Sequence, residues 1–219
     1  MPKHIVQSFD AELAAVHQRV TAMGAVVVEQ LEHLLNAIRS QDAVAAYGVT
    51  RREASVNQME VAADTEIFLL LAKRCPVASD LRFVMAASKV VTHLERTGDE
   101  VAKVANVLLE QLQQAGEQDR SGVDGRVLAA GEQTLSHLRS ALHVFGALDL
   151  PAARQLIQQQ EEPHGNLNGY MRQLLGTADQ QPAPLAETVS QVLILKSLDR
   201  INDLAVEIAE DLVFLAGTD

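Results

Sequence analysis

The sequence predicts an all-α protein of six long helices arranged as two homologous, tandem three-helix bundles. Three observations carry this: a helix-forming composition, apolar residues at steps of three and four, and an internal repeat. Aromatic residues make up only 3% of the 219 residues and hydrophobic ones 47%, with Gln, Glu, Ala, Leu and Val dominant, which favours helix over sheet. In the first helix, from about residue 8 to 39, Phe9, Leu13, Val16, Val20, Met23, Val27, Leu31, Leu34 and Ile38 form one seam of an amphipathic helix.

Asp42 has the chemistry of an N-cap for a second helix ending near Arg74, where Pro76 stops it. Ser79 or Asp80 can cap a third helix reaching about Gln114. Residues 116–125, rich in Gly and charge, read as a linker between a first unit, 1–115, and a second, 126–219. A fourth helix follows to about residue 147, Asp149 and Pro151 open a fifth, and a sixth spans about Leu185 to Ala216 after the Pro182-Ala183-Pro184 break. The halves repeat. Leu94-Glu95-Arg96-Thr97-Gly98-Asp99 matches Leu198-Asp199-Arg200-Ile201-Asn202-Asp203, and Asp42-Ala43-Val44-Ala45-Ala46 matches Asp149-Leu150-Pro151-Ala152-Ala153.

Charge and cysteine content narrow the function. A formal net charge of -11 argues against a nucleic-acid binder and for cationic partners, either metal ions or basic protein surfaces. The single cysteine, Cys75, excludes an internal disulfide framework and fits a reducing cytoplasm, with Cys75 itself read as a small buried residue. No run reaches the roughly 18 apolar residues a membrane span needs.

Residues four apart share a helix face, so Glu95 with Asp99 and Asp199 with Asp203 present paired carboxylates whose natural partner is a cation. Spacing alone is a permissive criterion: 29 acidic residues among 219 give roughly four such pairs by chance. Recurrence within a repeated hexapeptide is the stronger signal. Glu95 and Asp99 also flank the apolar seam of their helix, where a groove would lie. Glu60 and Asp64 form a third pair on the preceding antiparallel helix, so four carboxylates can converge in the first half, and Glu207 extends the stripe of Asp203 in the second. Hard oxygen ligands favour Mg, Mn, Ca or iron over a structural zinc site. An exposed acidic face that binds nothing is the plain alternative. His17 and His93 read as surface or boundary residues, and Glu161-Glu162-Pro163-His164 lacks the second copy a di-iron centre needs. No phosphate loop or nucleophile elbow is present.

These segments resemble the PhoU family. The likeness is carried by Phe9-Asp10-Ala11-Glu12-Leu13, by Val56 to Asp64, by Ala72-Lys73-Arg74-Cys75-Pro76, by Ser79-Asp80-Leu81-Arg82, and by Leu94 to Asp99 with its second copy. The resemblance implies two three-helix bundles, each with a Glu/Asp-x-x-x-Asp metal motif, here Glu95/Asp99 and Asp199/Asp203. It implies iron, manganese, zinc or magnesium as the ion. It further implies a non-enzymatic, cytoplasmic negative regulator of the phosphate-starvation response. Such an adaptor couples the ATPase of a Pst-type phosphate transporter to a PhoR-type sensor histidine kinase, reaching the membrane only through its partners. A homodimer is the expected assembly. The chain departs from the family where Asp199 replaces the usual Glu, Asn202 the usual Gly, and where 161–166 lack the acidic pattern of 57–64. The rival readings are a carboxylate-bridged metal enzyme, a metal store, and a purely structural helical scaffold.

Overall fold

The computed structural model describes residues 2–114, 125–161, 169–172, 176 and 185–215. Within them lie six bounded helices: α1 Pro2–Ser40, α2 Ala43–Arg74, α3 Ala78–Gln114, α4 Gly125–Ala147, α5 Leu150–Glu161 and α6 Leu185–Leu215. A further helical turn covers 169–172. No strand occurs among the described residues. The predicted linker lies outside them except for Gly125, which opens α4. Pro163, His164 and the Pro182–Pro184 break also fall outside.

The first connection shows why the chain folds back where it does. At the end of α1 the Asp42 amide donates to Ala37 O and the Gln41 amide to Ile38 O, 3.2 and 3.4 Å. Gln41 turns left-handed at φ 53, which closes the helix with a Schellman-type turn. Asp42 then caps α2, its carboxylate accepting from the amides of Val44 and Ala45 at 2.8 and 3.1 Å. The connection from α4 to α5 repeats this step for step. Asp149 N donates to Val144 O and Leu148 N to Phe145 O, 2.9 and 3.1 Å, Leu148 sits at φ 52, and the Asp149 carboxylate accepts from Ala152 N at 3.1 Å. The duplication read from the sequence is therefore present in backbone geometry, although between the turn segments 37–42 and 144–149 only the capping aspartate is shared.

Two sequence expectations are corrected at the second turn. Cys75 is exposed, not buried. It ends α2 in a left-handed conformation, φ 46 and ψ 55, with its amide on Leu71 O at 3.0 Å, and a terminating residue before proline has no core to enter. Ser79 and Asp80 do not precede α3 but lie in its first turn, since the helix starts at Ala78. There the Asp80 carboxylate favours the helix N-terminus. The first helix likewise begins at Pro2, earlier than the apolar seam.

Packing joins the halves. One apolar cluster takes Val20, Met23, Leu31, Leu94 and Leu108 from the first unit together with Leu138, Ile194, Leu198 and Ile201 from the second, all fully buried. The most extensive pairing of helices is α3 with α6, and α1 packs on α4. Gly131 permits that second approach, because a β-carbon there would overlap Leu35 Cδ2. Surface ion pairs also bridge the helices. Glu12 of α1 takes Lys73 Nζ at 2.9 Å and Arg74 Nε at 2.7 Å, Arg19 pairs with Glu66, and across the halves Arg39 reaches Glu132 at 2.7 Å while Arg139 pairs with Glu32. Hydrogen bonds from Arg74, and then Lys73, hold the Glu12 carboxyl at about 2, below its ordinary 4.5.

Candidate metal centre

The antiparallel pairing of α2 and α3 places Glu60 and Asp64 on one helix beside Glu95 and Asp99 on the other. Their proximity shows in their acidities. Glu60 is pushed up from 4.5 by burial first, then by the charges of Asp64 and Asp99. Glu95 is pushed up by burial, then by Asp99 and Glu60, with Arg96 opposing and Glu53 adding the least. Glu60, Glu95 and Asp99 are half-buried and Asp64 is exposed, so like charges meet here with incomplete solvation. Glu53, about two helical turns before Glu60, joins the group although the sequence reading left it out; its spacing of seven from Glu60 was the available signal.

The donor set fits a hard cation. Every group is a carboxylate, and Asn57, one turn before Glu60, has a buried amide oxygen with no hydrogen-bond partner, an available neutral oxygen ligand. A nearby cationic side chain on α3, Lys103, is occupied by Glu100 at 2.8 Å. That bond, more than Glu100's charge and the weaker pull of Asp99 and Glu95, raises its pKa. Among the described residues no three acidic, histidine or cysteine side chains are already gathered closely enough to enclose an ion. A cation bound there would have to draw the carboxylates together.

The second motif is differently placed. Asp203 is exposed, with Arg200 Nη1 at 3.7 Å, and the same guanidinium lies 3.4 Å from Glu207 Oε1. Asp199 is half-buried and engaged in an interaction of its own. In the helical turn 169–172, the register that aligns Asp149 with Asp42 places Met171 where the first half has Asp64, and Met171 packs against the core. Thus the structure brings Glu60, Asp64, Glu95 and Asp99 into one electrostatic group, while Asp203 lies beside Arg200. In the same register the counterpart of Glu60 is Leu167, which carries no ligand atom and lies outside the described residues.

Further along α6 the acidic stripe has another use. His93 of α3 sits with Nε2 2.9 Å from Asp211 Oδ2 and Nδ1 3.1 Å from Glu207 Oε2, the latter outside hydrogen-bond geometry. Lys89 Nζ reaches Asp211 Oδ1 at 2.9 Å and lies 5.3 Å from the Phe214 ring centroid. Arg82 donates to Leu215 O at 3.3 Å. Glu207 is therefore shared between Arg200 and His93, and Asp211 is a buried link between the halves that sequence reading missed. Its position four after Glu207 is the signal the sequence carries.

The fold and the site together define a class: tandem three-helix, all-α proteins with carboxylates at the seam of an antiparallel helix pair. The chain matches the family model described as PhoU domain twice, over residues 20–108 and 127–212. It is 36% identical over 99% of its length to the "Phosphate-specific transport system accessory protein PhoU homolog" of Pseudomonas aeruginosa, covering 88% of that protein. To the homolog of the same description from a Burkholderia species it is 34% identical, over 99% of this chain and 92% of that one. The crystal structure of PhoU from Pseudomonas aeruginosa superposes with a TM-score of 0.87 at 34% identity, covering 96% of this chain and 100% of that one. The chain belongs to the PhoU family.

Proposed function

We propose that this protein is a non-enzymatic accessory and negative regulator of phosphate transport. It acts in the cytoplasm, where it couples the ATPase of a Pst-type transporter to a PhoR-type sensor histidine kinase and keeps the phosphate-starvation response off when phosphate is plentiful. The description of its relatives as accessory proteins of a phosphate-specific transport system supports the transport role, and no described helix is long and apolar enough to cross a membrane. The description of its relatives as accessory proteins also supports a regulator more than a catalyst.

The observation that carries the mechanism is the group of half-buried carboxylates Glu60, Glu95 and Asp99 with exposed Asp64. Iron, manganese, zinc or magnesium bound there would neutralise charge on a long helical surface and so set which partner it accepts. Asp199 and Asp203 form the weaker candidate, with Arg200 beside them. A homodimer is the assembly we infer.

Deleting the gene and following a phosphate-responsive promoter in phosphate-rich medium tests the regulatory role. The promoter is expected to be derepressed, and a promoter that stays silent overturns it.

A further inference from the structure

The outer face of α2 carries a line of exposed apolar side chains. Its inner face buries Val49, Val56, Ala63, Ile67 and Leu70. On the opposite side Tyr47, Ala54, Val61 and Phe68 recur every seven residues, Tyr47, Val61 and Phe68 at 57, 64 and 69% exposure and Ala54 exposed as well. Single exposed apolar residues are ordinary; four in heptad register form a line. On a straight helix such a line drifts by about 20° per heptad, the path a second helix follows when it winds around the first.

Charge distinguishes the two edges of that line. Glu53, Glu60 and Asp64 run along one edge, with Glu95 and Asp99 of α3 just beyond. On the other edge Arg51 is exposed, while Glu66 and Lys73, farther round, are held by Arg19 and Glu12 of α1. A second copy of α2 fits this pattern poorly. In an antiparallel two-fold pair each edge meets itself, placing acid against acid, and in a parallel pair the acidic edge finds only Arg51.

We propose that this face of α2 docks an amphipathic helix of a partner protein, apolar along one stripe and edged with Lys or Arg, whose cations lie along Glu53, Glu60 and Asp64. The apolar stripe supplies the anchors and the charged edge sets direction and register. A consequence rests on the metal reading given above: because Glu60 and Asp64 belong both to the docking edge and to the candidate metal group, a bound cation and the partner's cations compete.

The probe is a pair of fluorescent synthetic helical peptides with the same Leu stripe, one edged with Lys and one with Glu, titrated with the full chain with and without saturating Mn. The Lys-edged peptide is expected to bind at least about tenfold tighter than the Glu-edged one and to weaken with salt. Val61→Ser with Phe68→Ser, both exposed and so compatible with folding, is expected to weaken it at least about tenfold. Glu53→Gln is expected to weaken the Lys-edged peptide, as the loss of one acid on the docking edge requires. Equal affinity for the two peptides, no binding, or binding indifferent to the serine variant overturns the docking surface. So does a doubled mass in light scattering that Phe68→Ser returns to one chain, because the occupant is then a second copy. Lys-edged binding that Mn leaves unchanged keeps the docking surface and removes the competition. Mn binding with no peptide binding keeps the metal site and removes the docking surface.

Discussion

His93 Nε2 of the first repeat lies 2.9 Å from Asp211 Oδ2 of the second, and Lys89 Nζ shares that carboxylate at 2.9 Å. Asp211 is only 6% exposed, so it bears two cationic or donating partners in a setting where water cannot replace it. Removing Asp211 leaves the His93 imidazole, 14% exposed, without its partner, whereas Lys89, 54% exposed, regains solvent. Asp211→Ala is expected to destabilise the fold by about 1 to 3 kcal/mol, read as a shift of the urea midpoint. Asp211→Asn is expected to lose less. An alanine variant as stable as the parent would mean that the α3–α6 contact is held by apolar packing alone.

The left-handed residues Gln41 and Leu148, at φ 53 and 52, hold matching turns in the two repeats; Gln41 is half-buried and Leu148 is 45% exposed. Glycine adopts this conformation without the β-carbon clash. Gln41→Gly and Leu148→Gly are each expected to stabilise by about 1 kcal/mol, with thermal unfolding as the measurement. A loss at either position would show that its side chain contributes contacts outweighing the strain.

Glu60 and Glu95 titrate above their ordinary value in the folded chain, chiefly through burial. The folded state therefore holds protons that the unfolded state has released, and stability falls as pH rises from the ordinary carboxylate value through the raised one. At neutral pH in the absence of divalent ions, Glu60→Gln and Glu95→Gln are expected to raise the melting temperature. The gain should disappear as pH drops below 4.5, the ordinary value for both groups. A gain independent of pH would place its origin in packing and not in charge.

Metal should follow the carboxylate group of the first half and not the second copy of the motif. Elemental analysis after purification without chelators or a His-tag is expected to lose metal in Asp99→Ala and to retain it in Asp203→Ala. Chelation is expected to lower the melting temperature of the native chain and leave Asp99→Ala unchanged. Equal loss in both variants would restore the second motif as a ligand set.

Periodicity made much of the fold legible. The helix ends at Ser40, Arg74 and Ala147 follow from local rules, an Asp that can cap and a Pro that cannot continue, and local rules act over a few residues wherever they occur. The acidic group was half legible. Spacing of four put Glu60 with Asp64 and Glu95 with Asp99, but only the antiparallel register of α2 and α3 placed the pairs together and added Glu53 and the unpartnered oxygen of Asn57. Asp199 and Asp203 share the same local spacing, but the register that aligns Asp149 with Asp42 offers Met171 at the Asp64 position, and Asp203 lies beside Arg200. Cys75 was misread for a related reason: hydrophobicity gives a residue's average tendency to be buried, whereas its place at a left-handed helix end decided its exposure.

Composition, helical period and the repeat thus determined by themselves an all-α chain of two homologous halves with carboxylates at fixed intervals. Those features depend on backbone propensity and on side chains within one or two turns of each other. Tertiary structure alone decided that the halves share one core across α3 and α6, that His93 and Lys89 close on Asp211, and that α2 keeps an apolar line facing water. Each depends on the relative rotation and register of helices distant in sequence. Side-chain volumes and charges settle those quantities jointly across the whole molecule.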